Sequence, residues 1–408
     1  MIAWLRYTVA YRSPYHTDPF EMKVSEDKRN VGASSEVVRG INRRIVLNLI
    51  RTRQPISRAD LARASGLQRS TISLIVEQLI DEEWVIEGPL GRLPRGRRPT
   101  FLGLNDERVI IGVDIRPSQT TVALADANGK FMSQEVMGTP SDPQLALKRL
   151  IQSIQRIKNG CRGKMIEGIG ISLPGRFDHN VNRLVFAPNL KWPDFDIRNP
   201  IVEETGLDVE LENAANACVL AEVWFDRVHA CRNLVVVTVS EGIGTGILAN
   251  GALVQGLNGI AGEFGHVPVD PSGPLCGCGN RGCWEVFASN RAALRYYAES
   301  GNTERDVTFP ALLSRADQGD VQAAAALERM AQYLGRGMRM IVAGLAPERI
   351  VVVGDLTHSW QRFGGIIEAE IQAQVLAGHA PVVVPAFEDG MARLRGTVAL
   401  VLQKHFSV

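Results

Sequence analysis

The chain has 408 residues, 45% of them hydrophobic, and its 45 Lys and Arg nearly balance 44 Asp and Glu. That length is too great for one compact domain and implies two or three, while the lack of any apolar run of about 18 residues excludes a transmembrane helix. The balance hides an asymmetry: residues 36–100 carry 12 Arg, no Lys and 7 acidic residues, so a basic front end sits on an acidic body and only the front end suits nucleic acid.

Residues 1–35 mix aromatic and polar residues without a period and read as an irregular N-terminal extension. Arg6 and Arg12 precede no apolar segment of the kind a signal peptide needs. Met22 opens a polar run, Lys23 to Arg29, so translation is expected to begin at Met1 or at Met22; peptides from before Met22 in mass spectrometry of the native protein would exclude the later start. Six cysteines, three of them grouped, fit a reducing cytoplasm, with Cys161, Cys218 and Cys231 expected in the core.

Residues 36–105 read as a winged helix-turn-helix. Val38, Ile41, Ile45, Leu49 and Ile50 recur at three or four and predict one apolar helical stripe. Gln54-Pro55-Ile56 ends that helix. Ser57 is placed to cap a second one, Arg58 to Ala64. Ser65-Gly66-Leu67 makes a tight turn, and a third helix from about Arg69 to Glu82 buries Ile72, Ile75, Val76 and Leu79. Trp84–Glu87 and Thr100–Leu104 read as strands around an arginine-rich wing. Arg69, Ser70, Thr71 and Ser73 stand at the exposed start of the third helix, where side chains reach base edges in a major groove. Arg95, Arg97 and Arg98, beside Gly96, suit the negative potential of a narrow minor groove. A three-helix protein-interaction module is the alternative, and the arginine placement argues against it.

Residues 106–408 change character. Strands are expected at Ile110–Ile115 and Thr121–Asp126, with an Asn128-Gly129 turn after them. A helix from Leu145 to Lys158 precedes a strand, Glu167–Ser172, that runs into Leu173-Pro174-Gly175. Leu234–Val239 enters a glycine turn, Gly242-Ile243-Gly244-Thr245-Gly246. A long helix, Ala323–Ala343, precedes a buried strand, Arg349–Val353. Strands alternating with helices define an α/β body.

Within that body, Cys276, Cys278 and Cys283 fall within eight positions, and His266 stands ten residues before the first. Three thiolates and one imidazole complete a tetrahedral zinc shell, and four protein ligands leave no open position, which makes such a zinc structural. Gly277, Gly279 and Gly282 let the loop aim three sulfurs at one point. A disulfide with a spare cysteine is the competing reading, but a Cys-x-Cys pair makes strained disulfide partners.

Glu263-Phe264-Gly265-His266, nine residues, and then Cys-x-Cys-Gly-x-x-Gly-Cys-x-Glu resembles the signature of the ROK family, which groups transcriptional repressors with sugar kinases. The resemblance runs from about Val37 to the C-terminus. It implies an actin-like, sugar-kinase-like body of two lobes with a cleft. It also implies sugar-hydroxyl contacts from Asn213, Glu263, His266 and Glu285, with Gly175 and Asn189 on loops lining the same pocket. By the same resemblance His266 binds zinc through one nitrogen and turns the other toward the sugar.

The family's kinases carry Asp-Ile-Gly-Gly-Thr after the first strand and a general-base Asp within Glu-Asn-Asp-Ala-Asn. Here the first reads Asp114-Ile115-Arg116-Pro117-Ser118 and the second Glu212-Asn213-Ala214-Ala215-Asn216. Pro117 has no N–H for a phosphate, and Ala214 cannot take a proton from a sugar hydroxyl. The expectation is therefore a non-catalytic, sugar-responsive regulator, in the main a repressor of carbohydrate-metabolism genes. It would act as a homodimer or tetramer on a near-palindromic operator and answer to a sugar or amino sugar. The alternatives are a sugar kinase fused to a DNA-binding domain and a regulator controlled by docking to a transport protein.

Overall fold

A computed structural model describes residues 35–90, 100–178, 183–187, 189–225, 231–302, 304, 306–373, 380–386 and 390–406. The N-terminal unit comprises α1 (Ser35–Arg53), β1 (Ile56–Ser57), α2 (Arg58–Ser65), α3 (Arg69–Asp81), β2 (Val85–Leu90) and β3 (Thr100–Leu104). Its three strands pair in the order β1-β3-β2. Ser57 caps α2, and Asp60 answers its backbone in a capping box, while Gly66 ends α2 in the left-handed conformation at φ 72°. As the spacing predicts, Ile72, Ile75, Val76 and Leu79 are the buried residues of α3.

The predicted stripe on α1 needs correction. Val46, Leu47 and Ile50 are buried, whereas Val38 and Ile41 are exposed. The reason is that α1 is covered on two sides, by α2 and α3 and by the C-terminal helix, so burial follows its second half and not one face. Arg95, Arg97 and Arg98 lie outside the described residues.

The first lobe is built from β4 (Arg108–Ile115), β5 (Gln119–Asp126), β6 (Phe131–Gly138), α4 (Pro143–Gly160), β7 (Met165–Leu173), β8 (Arg176–Asp178), β9 (Arg183–Phe186), α5 (Arg198–Thr205), β10 (Val209–Asn213) and α6 (Ala214–Phe225). The second contains β11 (Leu234–Val239), β12 (Ile243–Ala249), β13 (Ala252–Leu253), α7 (Glu285–Ala288), α8 (Asn290–Glu299), α9 (Phe309–Asp317), α10 (Val321–Leu345), β14 (Arg349–Val353), α11 (Trp360–Gln372) and β15 (Val382–Pro385). The last helix, α12 (Ala392–Phe406), returns to the first lobe and packs on α6, β4 and β7.

The two main sheets share one plan. Their orders are β10-β7-β4-β5-β6 and β15-β14-β11-β12-β13. In each, the first strand is central, an antiparallel hairpin lies on one side and two parallel strands lie on the other. Ligands of open α/β sheets gather beyond the carboxyl ends of such parallel strands, and Leu173, Asn213 and Val239 end strands there.

Glycines set how closely α12 approaches. A Cβ on Gly170 of β7 would lie 2.1 Å from the Thr397 carbonyl oxygen, and one on Gly396 would lie 1.9 Å from that of Ala217 in α6. Helices α6 and α12 also carry the N-terminal unit at their far ends. Arg51 Nη1 donates to the Trp224 carbonyl at 2.7 Å and its guanidinium lies 4.3 Å from the Trp224 ring centroid. Asn48 Nδ2 donates to the Phe406 carbonyl at 2.9 Å, and Trp84 meets Phe406 edge to face. Val46, Leu47 and Ile50 share one apolar core with Val398, Val401 and Leu402 of α12.

Candidate ligand cleft and metal centre

A cleft of about 320 Å³ opens between the lobes. It is lined by all six of the residues expected to face a sugar, Gly175, Asn189, Asn213, Glu263, His266 and Glu285. The first three come from the first lobe and the last three from the second. Asn213 has a divided role: its Oδ1 accepts the backbone N–H groups of Ala215 at 2.8 Å and Asn216 at 3.2 Å, capping α6. Only its Nδ2 is left to donate into the cleft. Buried Glu212 steadies this corner, since its Oε1 accepts from the Asn213 N–H and from Asn216 Nδ2, and its Oε2 from Gln255 Nε2.

Glu285 closes the opposite wall. Its Oε2 accepts from the Ile243 N–H at 3.3 Å, and a Cβ on Gly242 would lie 2.3 Å from that oxygen. Gly242, the first residue of the glycine turn, is thus needed for close approach to Glu285. Glu263 is borne on a short 3-10 turn, Glu263–His266, entered through Gly262 at φ 91°.

His266, Cys276, Cys278 and Cys283 present four ligand atoms that all lie within 4.8 Å of one another. Cys278 Sγ lies 3.7 Å from Cys283 Sγ, and Cys276 Sγ lies 3.6 Å from His266 Nδ1. A tetrahedral ion with metal–sulfur bonds of about 2.3 Å separates its sulfurs by about 3.8 Å, so this donor set fits a metal ion. His266 Nδ1 faces the sulfurs, whereas Nε2 lies 3.7 Å from Glu263 Oε2 on the cleft side. Burial pushes the Cys276 and Cys283 thiols above the ordinary thiol range, and a dication is the group that brings buried thiols back to thiolates. The loop is also held by its backbone: Trp284 N–H donates to the Val267 carbonyl at 2.9 Å and Cys276 N–H to that of Asn280 at 2.8 Å.

The hairpin that joins β4 to β5 sits at the mouth of a second cavity, of about 500 Å³, which Arg116 lines. Arg116 Nε donates to Asp114 Oδ2 at 2.7 Å, and Ser172 Oγ donates to Asp114 Oδ1 at 2.8 Å. Burial alone would lower the Arg116 guanidinium pKa, but the Asp114 carboxylate outweighs it and holds it above the usual value. Where a kinase loop would present backbone N–H groups, this chain presents a guanidinium tied to a buried carboxylate. Ala214 lines the first cleft beside Asn213 with no group able to accept a proton.

On the N-terminal unit, Arg69 and Ser70 are exposed, and Thr71 and Ser73 half-buried, at the start of α3. Leu74, absent from the sequence expectations, is 65% exposed on the same helix. Arg393, at the start of α12, is the other residue missed: it lines both cavities yet is buried. An arginine inside an apolar C-terminal run carries no signal that it faces a cleft.

Two sheets of one plan with a cleft between them place the body in the actin-like class of two-lobed α/β proteins. A profile of the ROK family matches residues 110–404, and the chain belongs to that family. It is 31% identical over 382 residues to a xylose repressor of Bacillus spizizenii, covering 92% of this chain and 98% of the relative. It is 28% identical over 352 residues to the DNA-binding transcriptional dual regulator NagC of Escherichia coli K12, covering 84% and 87%. Among solved structures, a ROK family transcriptional regulator homologous to the E. coli MLC protein superposes with a TM-score of 0.77 at 25% identity, covering 90% of this chain and 98% of that one. A ROK family glucokinase from Streptomyces griseus, in complex with glucose and AMPPNP, gives 0.67 at 27% identity, covering 72% and 99%.

Proposed function

We propose that this protein is a sugar-responsive transcriptional repressor of carbohydrate-metabolism genes and not a sugar kinase. The observation that carries the reading is the pairing of a polar interlobe cleft with the loss of both catalytic elements. Asn189, Asn213, Glu263, His266 and Glu285 offer donors and charged acceptors suited to a polyol, while Ala214 provides no base and Arg116-Pro117 no phosphate cradle. The named repressors to which the chain is similar along most of its length support the same reading.

In this reading residues 36–105 form a winged helix-turn-helix. Arg69, Ser70, Thr71 and Ser73 on α3 read the major groove, with Leu74 suited to a thymine methyl. Arg95, Arg97 and Arg98 enter the minor groove. Zinc, held by His266 Nδ1, Cys276, Cys278 and Cys283, ties the Glu263 turn to Glu285, so that loop geometry and sugar contacts move together. A homodimer sets two readers on a near-palindromic operator. Sugar binding draws the lobes together, and α6 and α12 link the cleft to the reader.

Fluorescence anisotropy of the purified protein on DNA from upstream of its own gene, at fixed salt and with a panel of sugars and amino sugars, tests this. Tight binding released by one sugar is expected. Tight binding that no sugar alters would favour control by a docked transport protein, and ATP-dependent phosphorylation of any hexose would refute the reading.

A further inference from the structure

The carboxyl end of α3 is closed from two sides. Within its own unit, the Gln78, Leu79 and Ile80 carbonyls accept the N–H groups of Glu82, Trp84 and Glu83, each at 2.9 Å. Two carbonyls just beyond them, of Glu82 and Glu83, accept from Arg108, the first residue of β4 in the first lobe. Its Nη2 donates to the Glu82 carbonyl and its Nε to that of Glu83 at 3.0 Å. Glu83 is held at φ 61°, a left-handed conformation uncommon outside glycine, and Asn105 Nδ2 donates to the same carbonyl at 2.9 Å. A cation at the carboxyl end of a helix is favoured by the helix dipole as well as by these hydrogen bonds.

Arg108 is fixed on its remaining sides too. Its Nη1 donates to Glu167 Oε1 of β7, and the two side chains are only 13% and 11% exposed. Its guanidinium lies 4.2 Å from the ring centroid of Trp84, the buried aromatic three residues past the end of α3. The His405 ring of α12 packs on Trp84 as well, at 4.6 Å between centroids, with its Nε2 3.6 Å from Glu167 Oε2. Burial and the nearby Arg108 guanidinium lower the His405 pKa, so at neutral pH the imidazole is neutral and leaves the Glu167 charge to Arg108. Burial pushes the Glu167 carboxyl up despite that guanidinium, so its ionised form depends on Arg108 staying in place.

The apolar core shared by α1 and α12 holds the N-terminal unit to the body, but apolar burial has no direction. Direction needs a rigid polar contact, and a guanidinium offers its N–H groups as a planar fork. This fork grips the backbone at the end of α3 rather than its side chains, so it acts on the course of the helix. At about 1.5 Å per residue α3, with 13 residues, is about 20 Å long. A pivot of about 10° at the gripped end would therefore move Arg69, at the other end, by about 3.4 Å, the height of one base-pair step.

We infer that Arg108 is a positioning residue for DNA recognition, a side chain of the body that pins the carboxyl end of α3 and so fixes the angle at which the first turn of that helix is presented. The inference rests on α3 being the DNA-reading helix. In a dimer, a pinned reader accepts one half-site spacing and a loose reader accepts several.

Fluorescence anisotropy on the full chain tests this. The probes are the near-palindromic site located by footprinting upstream of the gene, the same site with one base pair inserted or removed at its centre, and an unrelated duplex. Arg108→Gln alone leaves Glu167 buried without its cation, so Arg108→Gln combined with Glu167→Gln is measured beside it. Arg108→Lys keeps the charge without the planar fork. Thermal melts establish that each variant is folded. The wild type is expected to lose about tenfold or more in affinity when the spacing changes by one base pair, and the variants less than about threefold. The variants should also bind the native site more weakly and the unrelated duplex as the wild type does. An arginine that served stability alone would lower the melting temperature and leave the spacing penalty intact. The inference is overturned if folded variants keep the wild-type penalty, or if the wild type is itself indifferent to spacing. A wild type that selects no DNA sequence at all would instead remove the DNA-reader reading, and this inference with it.

Discussion

Replacing Cys278 by Ser removes one of four candidate metal ligands at a half-buried position, where the core is least disturbed. The size of the effect follows from the loop that the ion would close. His266 and Cys283 bracket a loop of about 17 residues, and cross-linking a loop of that length is worth about 3 kcal/mol in the chain-entropy treatment used for disulfides. That is an upper bound, because the loop keeps backbone hydrogen bonds of its own, among them Gly282 N–H to the Pro274 carbonyl and Val269 N–H to that of Gly282, each 2.8 Å. For a unit the size of one lobe, 3 kcal/mol lowers the melting temperature by roughly 6–12 °C. Metal analysis of the purified wild type should find about one zinc per chain, and differential scanning fluorimetry with a strong chelator should show most of that drop. Cys278→Ser should melt at the chelated temperature and respond no further. Because burial raises the Cys276 and Cys283 thiols, zinc uptake should release protons, and affinity should fall as pH falls. Metal-free protein whose melting is indifferent to chelator, or a Cys278→Ser variant that melts like the wild type, would refute the metal centre.

Four other changes separate parts of the proposal. Asn213→Asp keeps the oxygen that caps α6 but loses the Nδ2 donor, so sugar affinity should fall about tenfold with little change in melting; calorimetry that finds equal affinity would remove Asn213 from the site. Arg97→Ala combined with Arg98→Ala should weaken operator binding and reduce the slope of log Kd against log salt by about 2, whereas an unchanged slope would exclude a phosphate-contacting wing. Ala214→Asp restores a carboxylate but leaves Arg116 and Pro117 in place, so a coupled ADP-release assay should still detect no turnover with glucose. Gly396→Ala forces a Cβ to within 1.9 Å of the Ala217 oxygen and should cost about 1–3 kcal/mol in urea unfolding; a neutral result would mean that α6 and α12 are not rigidly packed.

What the sequence revealed depended on how local the signal was. The capping box at Ser57 and Asp60, the left-handed Gly66 and the burial of α3 all lie within a few residues, so spacing alone predicts them. The His266 and cysteine cluster was equally plain, since ligand chemistry and glycine placement share one short loop. The stripe on α1 failed because its burial is set by α12, more than 340 residues away in the chain, and no period reports a partner that distant. The matching plans of the two sheets were likewise hidden, because β6, β13 and β15 have little alternation to mark them. Arg393 was invisible for a related reason: only the return of α12 across the first lobe brings its guanidinium to the cleft. The division of Asn213 between capping and donation depends on where α6 begins, and the motif alone does not state that.

If the N-terminal unit is the DNA reader proposed above, its placement constrains how any signal can leave the cleft. Among the described residues, the apolar core that holds α1, α2 and α3 to the body draws on β4, β5, α6 and α12, all parts of the first lobe. The N-terminal unit and the first lobe therefore share one packed core, and closing the cleft does not by itself reorient α3 against the lobe that carries it. What closure changes is the position of the second lobe, which contributes Glu263, His266 and Glu285 to the cleft lining. In the proposed homodimer, two readers on one operator would then alter their spacing only if the copies touch through the second lobe. A copy-to-copy contact made by the first lobe alone would fix the spacing whatever the cleft held. A ligand gripped by one lobe only would bind without shifting the equilibrium, since it would have equal affinity for the open and closed forms. Glu263→Gln and Asn213→Asp, on opposite walls, should accordingly both reduce the release of operator by the sugar, each by weakening the preference for the closed form.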